Sequence, residues 1–180
     1  MFKLPTATIA TVVQIDPDFE VWRKLARGEA PPILRDLIAA DEIQVTAIDQ
    51  ELGESVLALA HEFSEGKAKQ IKPDGEFDPD TPLLVVGSKS GCAAFLERLS
   101  LSPRSEAILA GSVEVWIVSE LARKIVVVAI EPNAEKKQDL PQLGRRLRHF
   151  GRYSWVSLAD DRAAARGNWP VDPPEVAVPK

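Results

Sequence analysis

The chain has a single cysteine, Cys92, among 180 residues. An internal disulfide and a zinc cage built from several cysteines are therefore excluded. Histidine is almost as scarce: only His61 and His149 are present. No apolar run approaches the roughly 20 residues of a membrane-spanning helix. The first 18 residues lack a basic leader and a long apolar stretch, so no signal peptide is expected and the cytoplasm is the favoured compartment. Basic residues do not dominate either. There are 22 Lys and Arg against 27 Asp and Glu, a formal charge of −5. General nucleic-acid binding normally leaves a basic footprint, and this balance argues against it.

What is present is ordinary globular material. Hydrophobic residues make up 45% and charged residues 27%, which excludes a disordered tail, a collagen-like chain and a coiled-coil rod. The length corresponds to about one domain. A chain of this size buries roughly 70% of its unfolded surface, enough for a core without staples. The charge is unevenly spread. Residues 1–90 carry a net −7 and residues 91–180 a net +2. Different neighbours on different faces would explain that split, and so would ordinary solvated surface.

Apolar periodicity alternates between strand and helix. Thr6 to Ile15 reads as a strand, broken at Asp16-Pro17-Asp18, and Asp18 can cap a short helix over 19–27. Pro31-Pro32 opens a second helix with Ile33, Leu34, Leu37 and Ile38 on one face. Ile43 to Ile48 reads as a strand. Asp49 is placed to cap a third helix carrying Leu52, Val56, Leu59 and Phe63, ended by Gly66. Residues 66–81 read as a polar surface connection, with room for a short strand near Ile71. Strands are expected at 83–86, 113–118, 124–130 and 154–158, and helices at 91–99 and from Asp139 to Gly151. Unbroken runs such as Ile125-Val126-Val127-Val128 belong to sheets covered on both sides. The expectation is an α/β fold: one three-layer domain over 1–167, with a mainly parallel sheet and helices on both faces. A proline-rich tail over 168–180 should lie extended.

Several places could carry chemistry. Gly87-Ser88-Lys89-Ser90-Gly91 follows a strand and opens a helix. Backbone N–H groups at a helix start attract anions, and Lys89 adds charge. The spacing matches neither GxxxxGK[ST] nor GxGxxG, and a tight strand-to-helix turn explains the glycines equally. Cys92 opens the same helix, where a thiol pKa can fall. A nucleophile also needs a base. His149 is the available imidazole, and no local signature ties the two together. His61-Glu62-Phe63-Ser64-Glu65 begins like HExxH, but Glu65 stands where the second histidine is needed. The acidic run Asp74, Glu76, Asp78 and Asp80 lacks the closing Glu of a calcium loop. No cofactor motif and no metal site is expected.

The helix from Leu140 is the most ordered feature. Leu140, Leu143, Leu147 and Phe150 form one apolar stripe. Arg145, Arg148 and His149 fall on the other side, Arg146 flanks them, and Arg152 continues that side if the last turn holds. Cations there suit the helix dipole, and they also suit an acidic protein surface. Trp169, in the proline-rich tail, implies that the tail docks, either on its own domain or on a partner.

The stretch Leu147-Arg148-His149-Phe150-Gly151-Arg152-Tyr153-Ser154, followed by Gly167-Asn168-Trp169-Pro170, resembles the end of large bacterial zinc aminopeptidase-like proteins of the gluzincin type. There a segment L-x-H-Y-G-x-Y-S precedes a strand and a G-x-W motif. The likeness covers the last third of the chain and extends back toward Leu83. Phe150 replaces the usual Tyr, and the peptidase zinc motif is absent. The resemblance implies a non-catalytic α/β accessory domain. The functional expectation is thus a protein-interaction or scaffold domain acting through Arg145, Arg146, Arg148, His149, Arg152 and Trp169 on a partner with an acidic surface. The alternative is an anion- or nucleotide-binding module using Gly87 to Gly91, and the remaining possibility is a Cys92 hydrolase or transferase.

Overall fold

A computed structural model describes residues 12–14, 30–102, 108, 111–118, 124–131, 139–159, 162–171 and 175–177. The chain divides into two compact units, Pro32–Trp169 and Met1–Pro31 with Pro170–Lys180. The smaller unit pairs a strand from each end of the chain. β1 (Val12–Gln14) runs antiparallel to β9 (Glu175–Ala177), with Val13 opposite Val176. The helix expected over 19–27 lies outside the described residues.

The larger unit is an α/β domain. In chain order it contains α1 (Arg35–Ile38), β2 (Glu42–Ala47), α2 (Gly53–Phe63), β3 (Lys67–Gln70), β4 (Leu83–Ser88) and α3 (Lys89–Arg98). Then follow β5 (Val113–Ile117), β6 (Ile125–Ile130), α4 (Leu140–Leu147), β7 (Trp155–Ala159) and β8 (Arg162–Gly167). Seven strands form one sheet in the order β3-β2-β4-β6-β5-β7-β8. The first four are parallel. From β6 onward every neighbour is antiparallel. The expected mainly parallel sheet therefore describes one half. The other half is antiparallel because β5–β6 and β7–β8 are each joined by a short connection, and parallel neighbours need a long crossover.

Local chemistry explains the elements. β4, β5 and β6 are apolar almost throughout, and Leu84, Val86, Val113, Val115 and Val126 to Val128 are fully buried. Asp139 caps α4, its side chain accepting from the Gln142 N–H at 3.1 Å, with a proline in the first turn. α4 presents Leu140, Leu143 and Leu147 to the core and leaves Arg145 exposed. Gly144 sits against α2, where an added Cβ would come within 2.5 Å of the Leu59 carbonyl oxygen. The missing side chain lets the two helices approach that closely.

Gly151, which follows the turn after α4, does not take the left-handed conformation that glycines often supply at helix ends. Its φ is −51°, and its carbonyl accepts from the Arg35 N–H at 2.8 Å. The Tyr153 carbonyl accepts from Leu34 N–H at 2.9 Å. The turn after α4 thus satisfies the first donors of α1, which no side chain caps.

Candidate functional site

The sequence pointed to two places, the start of α3 and the end of α4. They are built differently. At the first, Ser88 ends β4 and caps α3, its Oγ accepting from the Gly91 N–H at 3.3 Å. Asp49 follows β2, the neighbouring parallel strand. It does not cap the turn after it with its side chain. Its carboxylate reaches across instead, accepting from Ser88 N–H at 2.5 Å and from Ser88 Oγ at 3.2 Å. A Cβ at Gly87 would come within 2.7 Å of Ile48 and 2.9 Å of Asp49, and one at Gly91 within 2.7 Å of Ile48. The glycines let the β2 end press onto the α3 start. The negative group at this helix terminus is therefore the chain's own carboxylate.

Lys89 points elsewhere. Its Nζ donates to the Gly111 carbonyl at 2.6 Å, to Glu114 at 2.9 Å and to Glu131 at 3.1 Å. Glu114 is only 2% exposed, so this ammonium neutralises a buried carboxylate on β5. Separating the pair would strand that charge. Of the residues Gly87, Ser88, Lys89, Ser90 and Gly91, Ser88 thus gives its donors to Asp49, and the Lys89 ammonium is held by three acceptors away from the turn.

Cys92 is fully buried and donates weakly to the Val128 carbonyl at 3.9 Å. Burial, helped by the Asp49 charge, pushes its thiol up to about 12. A thiol held protonated near neutral pH is not a nucleophile. His149 lies on the exposed turn Arg148–Phe150 that follows α4. Among the described residues, no hydrogen bond joins Cys92 to His149.

The second place is the basic end of α4. Arg145 forms a two-point pair with Glu62 of α2, both contacts at 2.8 Å. Arg148 pairs with Glu65 at 3.3 Å. The Arg145 bond holds Glu62 below the usual carboxylate range, against a smaller opposing effect of burial. It pushes Arg145 up in turn. The His61–Glu65 segment thus supplies acids to arginines, and among the described residues no three His, Cys, Asp or Glu side chains gather as a metal site.

Further along, the arrangement changes. Arg152 is exposed, lies 5.0 Å from the Tyr153 ring centroid, and donates to the Tyr153 hydroxyl at 2.7 Å. Arg166, on edge strand β8, is also exposed and lies 5.2 Å from the same centroid. Phe150 flanks the tyrosine at 6.5 Å. Among the described residues, no carboxylate pairs with Arg152 or Arg166. Sequence reasoning missed Arg166 and Tyr153 as surface groups, because only the β7–β8 pairing brings residue 166 beside residue 153.

Trp169 is 8% exposed, and its indole Nε1 donates to the Ile117 carbonyl at 2.7 Å. Its backbone N–H donates to Ser154 Oγ at 3.1 Å, while Ser154 Oγ donates to the Pro32 carbonyl at 2.6 Å. Asn168 accepts from Ser154 N–H at 2.9 Å. Trp169 is therefore docked on its own domain, the first of the two arrangements its place in the tail allowed. The motif shared by Ser154 and residues 167–169 is a lock between the start of β7 and the segment that leaves β8.

The acidic segment is anchored too. The Gln44 side chain exchanges two hydrogen bonds with the Asp78 backbone, at 3.1 and 3.2 Å, and Asp78 accepts from Thr81 Oγ1 at 2.9 Å. A cleft of about 650 Å³, unsuspected from the sequence, opens beside the carboxyl ends of β2 and β3. Ala47, Gln50, Gly53, Gln70 and Lys72 line it. In α/β sheets ligands favour the crevice where strand order reverses. Here the reversal falls between β2 and β4, and the Asp49–Ser88 contact fills it. Among the described residues, no helix is long and apolar enough to cross a membrane. Comparison with protein-family models, curated proteins and solved structures found no match for the chain.

Proposed function

We propose that this chain is a non-catalytic protein-interaction domain, an accessory to a larger protein or complex, that binds an acidic partner through the basic surface after α4. One observation carries the reading. Arg152 and Arg166 are exposed beside one tyrosine ring with no carboxylate among the described residues to neutralise them, whereas Arg145 and Arg148 have acids of their own. Arginine forks recognise carboxylates well, and at a surface they contribute when a partner removes water from around them. The committed state of Cys92 and Lys89 supports a role without catalysis. The accessory part of the proposal comes from the gluzincin-like ending at residues 147–170. A three-layer arrangement fits the topology. From the β2–β4 boundary the chain runs through α2 to β3 on one side, and through α3 to β5 and β6 on the other.

The test is capture of a partner by the purified chain, compared with Arg152→Glu/Arg166→Glu and with Arg145→Glu/Arg148→Glu. The proposal expects one partner, retained by the wild type and lost by the first variant with its thermal stability unchanged. Failure to retain any protein in the lysate of the native host contradicts it.

A further inference from the structure

Arg152 and Arg166 reach Tyr153 from different elements, one from the turn after α4 and one from β8. Their guanidinium carbons lie within about 10 Å of each other, since each stands about 5 Å from the same centroid. Arg152 is fixed further by its bond to the tyrosine hydroxyl. A ring face attracts cations, but two cations gathered at one ring repel each other. An anion in contact with both would relieve that repulsion and use the donors both forks leave over. Arg152 commits one Nη2 contact to Tyr153, and a guanidinium carries five N–H donors.

We infer that Arg152, Tyr153 and Arg166 form a clasp for a carboxylate side chain in an acidic segment of a partner protein. This rests on the interaction-domain reading and names its contact. Three observations favour an acidic polypeptide over nucleic acid. The chain is net negative at −5. Glu62 and Glu65 stand along the same basic face, already joined to Arg145 and Arg148. Among the described residues of this face, the arginines left without an acid are thus only a few side chains wide, short of the extended track that a polyanion follows. Phe150 and Tyr153, both half-buried, add an aromatic floor that suits the carbon stem of a glutamate. The sheet edge itself is a poor alternative. The β7–β8 register slips between Ser157 and Leu158, and such an irregularity, with arginines on the strand, discourages addition of another strand.

The chain has one tyrosine, so a sample labelled only at the tyrosine Cζ carbon gives one NMR signal that reports on the clasp. The experiment titrates hexaglutamate into the whole chain at low salt and follows that signal. The clasp predicts a saturable shift, at least tenfold weaker binding for Arg166→Gln, and less than twofold change for Arg145→Gln. It also predicts weakening as salt rises. No shift, or equal affinity in Arg166→Gln, overturns it. Tighter binding of the single-stranded oligonucleotide dT12 overturns it in favour of nucleic acid. The broader reading fails separately. A partner still captured by Arg152→Glu/Arg166→Glu removes the clasp and leaves the interaction domain, whereas hexaglutamate binding with no captured partner does the reverse.

Discussion

At the start of α3 the carboxylate of Asp49 takes the Ser88 donors, and Lys89 turns away to Glu114 and Glu131. At the end of α4, Arg152 and Arg166 face one tyrosine and no carboxylate among the described residues meets them. Both regions carry basic residues, and in sequence the end of α4 is the first choice for a partner contact and the α3 start the alternative. The fold separates the two by how far their charges are already paired. A glycine-flanked turn at a helix start can serve to seat the chain's own acid. A site open to a partner shows instead as charge left over after internal pairing.

The comparison can be broken most sharply at Cys92. If the α3 start is closed, alkylation near neutral pH should run about a thousandfold below that of an exposed thiol, following the rise from 9.0 to about 12. Fast labelling in the native state would mean that this region opens. The same shift has a stability consequence. A raised folded pKa favours the fold below the ordinary thiol value, and that contribution is lost as pH climbs through the folded value. Denaturation midpoints of the wild type should therefore fall relative to Cys92→Ala between about pH 9 and 12.

Asp49→Ala should cost about 2–3 kcal/mol in urea unfolding, because it leaves partly buried donors at Ser88 without their charged acceptor. It should also let inorganic phosphate raise the melting temperature, which the wild type should not show. Gly144→Ala comes next, at about 1–3 kcal/mol, since its Cβ meets the backbone of α2. Arg145→Gln should have a smaller effect, because the pair is exposed and screened by solvent. Its signature is the pH profile. Glu62 has a lowered folded pKa, so its contribution is present above the ordinary carboxylate value and lost as pH falls through the folded one. The variant should lose that acid dependence. Smallest of all, Arg166→Gln should change stability by less than about 0.5 kcal/mol.

Much of the fold could be read from local pattern. The apolar runs at 83–88 and 125–130, the Asp139 cap and the stripe Leu140, Leu143, Leu147 are all short-range signals. The α/β class follows from their alternation. β8 escaped because Arg162-Ala163-Ala164-Ala165-Arg166 has neither β-branched residues nor alternation. It becomes a strand only because β7 offers an open edge. The sites escaped for a related reason. Asp49 and Ser88 are 39 residues apart, and Glu62 and Arg145 are 83 apart. No spacing rule announces such pairs, so arginines that read as a free surface proved partly spoken for. Trp169 was legible as an anchor, but not its acceptor on Ile117.

The most direct measurement is a backbone amide map of the whole chain titrated with hexaglutamate. The account predicts shifts concentrated at Phe150 to Tyr153 and at Arg166, with Ser88 to Cys92 unmoved. Shifts centred on Ser88 to Cys92, with the end of α4 silent, would contradict it.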